Sequence, residues 1–135
     1  MKDVTQKFGE NAGKVWDTLS KYGPLAESTL IRNTKLTVND FSAAIGWLAR
    51  ENKICKNGPK YELRETNLTN KIGADAGKVW SAISTLGEID VSSIAKVTQI
   101  KERDAYSALG WLAREDKITS IETPTREGQL KLRLK

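Results

Sequence analysis

The sequence contains no histidine and a single cysteine among its 135 residues. Without histidine it lacks the commonest metal ligand and the commonest general base at neutral pH. Metal hydrolases and Ser-His-Asp enzymes are therefore nearly excluded, and neither a metal nor a cofactor is expected. Cys55 alone cannot build an intrachain disulfide framework. Long hydrophobic runs are missing too: the longest, residues 43–49, is far too short to span a bilayer. The first residues, MKDVTQKFGEN, hold no continuous apolar segment, so no signal peptide is expected and a cytoplasmic location follows by default. Apolar residues make up 39% and charged residues 29%, as in a soluble globular protein. The net charge is +5, a mild basic excess that permits nucleic acid as a partner without demanding it.

The chain repeats itself. GENAGKVWDTLSKYG at 9–23 returns as GADAGKVWSAISTLG at 73–87, and SAAIGWLARENKI at 42–54 returns as YSALGWLAREDKI at 106–118. Both pairs share an offset of 64 with no gap, and residues 4–54 match 68–118 at 22 of 51 positions. That is duplication. The repeats are assigned to residues 1–66 and 67–135, each small but able to fold if well packed.

One unit reads as three helices and a hairpin. Asn11 and Asp75 are placed as N-caps of a first helix about 11 residues long, with Ala12, Val15, Trp16 and Leu19 at helical spacing. Gly23 and Gly87 stand where that helix would stop. Leu25 and Ile89 then form a stub of extended chain. Ser28 and Ser92 start a short second helix that ends near Thr34 and Thr98, with Leu36 or Ile100 as an apolar anchor in the turn. Thr37 with Asp40 reads as a capping box for the third helix, whose stripe is Phe41, Ala44, Ile45 and Leu48, or Ala105, Ala108, Leu109 and Leu112. Two short strands follow, around Asn57-Gly58 in the first copy and a longer tip in the second. The class is mainly α (α+β): two tandem winged helix-turn-helix domains, each of three helices plus a β-hairpin wing. The stretches AGKVW, GWLARE and KI together resemble a small prokaryotic winged helix-turn-helix family, over roughly 46 residues of each unit. That resemblance implies the fold and brings no activity to carry over.

Several features invite chemistry and resist it. GENAGK is one residue short of a phosphate loop, and Val15 stands where a hydroxyl would hold magnesium. The simpler expectation is that Ala12 and Gly13 let the first helix approach a neighbour closely. The four tryptophans, at equivalent positions in both copies, are assigned to core packing ahead of base stacking. Gly46 and Gly110 lie mid-helix, opposite the apolar stripe, where glycine costs about 1 kcal/mol relative to alanine. They suit close approach either to DNA backbone or another protein segment, or to an internal neighbour, the wing or the other unit. Cys55 is a small residue at the start of a wing.

No constellation of acid, base and nucleophile appears, so the chain is not expected to be an enzyme. If the third helix enters the major groove in the usual way, its exposed readers are Lys35, Thr37, Asn39 and Ser42 in one unit and Lys101, Arg103, Tyr106 and Ser107 in the other. Asn39 and Arg103 are the base-contacting candidates. Yet residues 37–53 and 101–117 each sum to zero charge. The basic excess sits in the wings, on Lys56, Lys60, Arg126, Lys131 and Arg133, which with Lys35 and Lys101 are assigned to phosphate. Two readings follow. One is a protein that binds double-stranded DNA as a covalent pseudo-dimer, a transcriptional regulator or chromosome-associated protein. The other is an adaptor that binds another protein through the exposed faces of the third helices. Neither involves a membrane.

Overall fold

The computed structural model describes residues 3–121 and 130–135. Each unit runs helix, short strand, helix, helix, hairpin. The first contains α1 (Val4–Tyr22), β1 (Leu25–Ala26), α2 (Glu27–Thr34), α3 (Val38–Arg50), β2 (Cys55–Asn57) and β3 (Lys60–Glu62). The second contains α4 (Ala74–Leu86), β4 (Ile89–Asp90), α5 (Val91–Thr98), α6 (Glu102–Arg114), β5 (Ile118–Ile121) and β6 (Lys131–Leu134). The extended stub becomes the third strand of each wing, in the orders β1-β3-β2 and β4-β6-β5, all antiparallel. Among the described residues, no helix is long and apolar enough to cross a membrane.

Local chemistry sets most boundaries. Gly23 and Gly87 close α1 and α4 at φ 78° and 82°, each donating its N–H to the carbonyl four residues back. The Thr37 hydroxyl accepts the Asp40 N–H at 3.1 Å and starts α3. Asn52 and Asp116, both at φ 60°, turn the chain out of α3 and α6. The N–H groups of Lys53 and Lys117 then reach back to Leu48 and Leu112, so that wing and helix join at a fixed angle.

The helix starts depart from expectation. Asn11 is no cap: it lies buried inside α1, which begins seven residues earlier, and its Nδ2 finds no partner among the described residues. Asp75 likewise sits inside the first turn of α4, after a π-helical turn at Thr69–Gly73, where its carboxylate accepts the Lys71 ammonium at 2.8 Å. Ser28 and Ser92 are second residues of their helices. Asp90 is the cap of α5, accepting the Ser93 N–H at 2.8 Å, whereas Ala26, its counterpart, has no side chain to cap with.

The missed turns explain themselves by where they go. Val4 and Phe8, on the early turns of α1, are buried in the core of the second unit with Val79, Ile94 and Leu109. Their counterparts Leu68 and Ile72 pack into the core of the first with Val15, Leu30 and Ile45. Each unit thus lends the other the segment that leads into its first helix. The loan is latched in the second unit, where the Asp3 carboxylate accepts hydrogen bonds from the Thr119 and Ser120 hydroxyls, both 3.1 Å. Burial alone would raise the Asp3 pKa, but these bonds and the Ser120 N–H hold it below its ordinary value.

Candidate nucleic-acid interface

The third helices decide what surface is left for a partner. α3 and α6 pack against one another through the small residues that sequence left facing away from the stripe. A Cβ added to Gly46 would fall on the Ser107 carbonyl, 2.7 Å from its carbon, and one added to Gly110 would fall equally on Ala43. Only glycine allows two helix backbones to come this close. Further along, the Arg50 guanidinium lies over the Trp111 ring at 5.7 Å and Arg114 over Trp47 at 6.0 Å. Arg50 also pairs with Glu115, and Arg114 with Glu51, each at 3.0 Å. Every contact joins a residue to the near-counterpart of itself. The two helices therefore run side by side in the same direction, as the elements of a two-fold interface do.

This seam corrects several expectations. Among the described residues, a Cβ added to Gly13 or Gly77 would meet nothing within 4 Å, so close approach belongs to Gly46 and Gly110, and to Gly9 and Gly73 against the rings of Trp47 and Trp111. Trp47 and Trp111 are half-buried and bridge both cores. Trp16 and Trp80 are not core residues: they are 40% and 41% exposed, because the buried stripe of the first helix runs through Val15 and Leu19 and leaves the next position outside.

The expected readers divide accordingly. Ser42 is buried, its hydroxyl donating to the Val38 carbonyl at 2.8 Å, so it is not an exposed reader. Ser107 is half-buried with its backbone against Gly46, and Tyr106 packs its ring on the second core. Arg103 is half-buried and ion-paired with Glu27 of the other unit. Asn39 is half-buried, and Thr37 is exposed but holds its helix cap. The expected phosphate set fares differently. Lys35, Lys56, Lys60, Lys101 and Arg133 are exposed, and Lys131 is half-buried on the central strand of its wing. Arg126 lies outside the described residues. Sequence reasoning missed Glu27, Glu51 and Glu115, the acids that tie the units together. The signal was present in Arg50-Glu51 and Arg114-Glu115, identical in both copies: adjacent residues on a helix do not face one another, so each needed a partner elsewhere. The buried Cys55 thiol donates to Glu62 at 3.6 Å, and burial followed by that bond pushes its pKa up, away from reactivity.

Two units of three helices and a three-stranded wing, joined through their third helices, define a tandem winged helix-turn-helix protein. The family model described as Winged helix-turn-helix domain (DUF2582) matches residues 1–64 and again residues 65–134. The chain belongs to that family. No curated protein and no solved structure matches it.

Proposed function

We propose that this protein binds double-stranded DNA through its wings and helix-turn corners, as a covalent pseudo-dimer that grips backbone more than it reads bases. The repeats acting as the two halves of that pseudo-dimer are taken as residues 1–66 and 67–135. The fold suggests DNA binding in general. One observation carries the particular mode: the third helices spend their inner faces on each other, while Lys35, Lys56, Lys60, Lys101 and Arg133 are exposed and make no ion pair among the described residues. Side chains of this kind supply phosphate affinity without sequence information. A chromosome-associated role fits weak selectivity better than a regulator that must find one operator. Localisation in the cytoplasm belongs to the same proposal.

The test is anisotropy of two labelled duplexes of unrelated sequence, titrated at two salt concentrations. The expected result is similar affinity for both, falling about a thousandfold between 50 and 200 mM salt if about six phosphates are contacted. Lys60→Glu with Lys35→Glu should weaken both equally and flatten the salt dependence. Absence of binding at the lower salt would overturn the proposal, and strong preference for one duplex would overturn the backbone mode.

A second reading, a protein-binding adaptor, is favoured by Trp16 and Trp80 with Leu86 and Val97, all exposed on the first and second helices of their units. The inner faces of the third helices are spent on each other, so such a partner would meet their outer faces or these apolar side chains.

A further inference from the structure

The duplication is symmetric at the seam and asymmetric beside it. A cavity of about 300 Å³ opens between the units, lined from the first by Glu27, Ser42, Lys56 and Tyr61 and from the second by Lys71 and Arg103, with Asp75 and Asp104 behind. Its accessible apolar wall is Pro59, Leu68 and the edge of Ile72, with Phe41 and Ile45 buried beneath. The counterpart positions around the other unit keep one ion pair: Lys7–Asp40 at 3.5 Å corresponds to Lys71–Asp104 at 3.6 Å. The rest differs. Where the cavity has Ser42, the other copy has Tyr106, whose ring packs half-buried on the second core. Where it has Glu27, Arg103 and Asp75, the other copy has Val91, Asn39 and Asn11. One repeat fills this corner with a phenol ring and uncharged side chains. The other puts a small serine there and surrounds the corner with charge.

The charges are arranged as well as abundant. Lys71 bonds to Asp75 at 2.8 Å and lies 3.6 Å from Asp104, so two carboxylates share one ammonium at that corner. Asp75 and Ser42 are both more than nine-tenths buried. On the wing side, Lys56 has no acid partner among the described residues and holds its ammonium 5.6 Å from the Tyr61 ring. Arg103, bonded to Glu27, still carries further N–H donors. The cavity as a whole is neutral, with surplus negative charge at one corner and surplus positive charge at the other. A simple anion or cation would meet a repelling end. A zwitterion would meet neither.

We propose that this cavity is a binding site for a free aromatic amino acid. Its ring would lie beside Ser42, at the position that Tyr106 holds in the other repeat, against Leu68, Pro59 and the edge of Ile72. Its ammonium would face Asp75 and Asp104, and its carboxylate Lys56 and the free edge of Arg103. The site takes walls from both units, so occupancy would brace the seam. This inference stands whether or not the protein binds DNA.

The experiment uses the intact, ¹⁵N-labelled chain and titrates L-phenylalanine, with 3-phenylpropionate, phenethylamine and L-leucine as comparisons. L-Phenylalanine should produce saturable shifts at the amides of Ser42, Lys56, Tyr61 and Ser107, with half-saturation near or below about 1 mM. The compounds lacking either charge, and the one lacking the ring, should bind at least about tenfold more weakly. Ser42→Tyr, which plants the ring of the other repeat, should abolish the shifts. Lys56→Gln, on the exposed wing and tolerable for folding, should weaken them about tenfold. Absence of saturable shifts with L-phenylalanine would overturn the site. Equal binding of 3-phenylpropionate would overturn the zwitterion assignment. Unchanged binding in Lys56→Gln would overturn the placement of the carboxylate, however Ser42→Tyr behaves.

Discussion

At the residue scale, glycines of identical type do opposite things, and only their surroundings tell them apart. Gly46 sits where any Cβ would collide with the Ser107 backbone, which cannot swing aside as a side chain would. Gly46→Ala should therefore lower stability by about 2 kcal/mol or more, since overpacking outweighs the helix propensity gained. Gly13→Ala, in an exposed and open position of α1, should raise stability by about 0.5–1 kcal/mol. Urea midpoints of the two variants check both signs. A second residue-scale prediction concerns acid. Bonds to Ser93 hold the Asp90 carboxyl below its ordinary value, and Asp3 is held low by Ser120 and Thr119. A carboxyl depressed in the folded state contributes stability above its unfolded pKa, and that contribution is lost as pH falls through the folded value. Stability should decline between about pH 5 and pH 2, and less steeply in Asp90→Asn than in the parent. Asp90→Ala should cost about 1 kcal/mol at neutral pH through the lost cap. Denaturant titrations across that range measure both effects.

At the element scale, the first helix of each unit belongs to both. Val4 and Phe8 close the second core and Ile72 closes the first, so neither hairpin-and-helix unit has a complete core of its own. Phe8→Ala should cost about 3–5 kcal/mol, and the loss should appear in the second unit, in which that ring is buried. Thermal unfolding should remain a single transition for parent and variant, with amide exchange accelerated on α4 and α6 of the variant. Two separate transitions would show that the exchanged segments do not couple the units. Sequence periodicity located the body of every helix and the hairpins. It failed at the beginning of α1, because residues 4–10 show too few apolar positions for a local core. Val4 and Phe8 are spaced one turn apart for a core that lies in the other half of the chain.

At the scale of the whole molecule, the seam between α3 and α6 determines which faces remain for function. Exposed pairs such as Arg50–Glu115 contribute at most about 1 kcal/mol each, so close packing at Gly46 and Gly110 is the larger reason the units associate. Removing both arginines, Arg50→Ala with Arg114→Ala, should cost about 1–2 kcal/mol, including lost stacking on Trp111 and Trp47. The variant should remain folded, as circular dichroism and the urea midpoint would report. Of the candidate interface, the lysines at turns and wings were legible in sequence, because charge on a short strand or helix corner has few places to go except solvent. Arg103, Ser42, Tyr106 and Ser107 were not. Their helical positions matched those of an exposed face, and no periodicity reveals that a second copy of the same face covers it.

Duplication, helical order, hairpins and family membership follow from the order of residues alone, because each rests on local spacing or on direct repetition. The pairing of third helices, the exchange of first-helix segments and the polar cavity were decided only by tertiary structure. The reason is common to all three. Each depends on residues of opposite repeats, far apart in the chain, meeting in three dimensions, and that leaves no trace in the pattern of either copy read by itself.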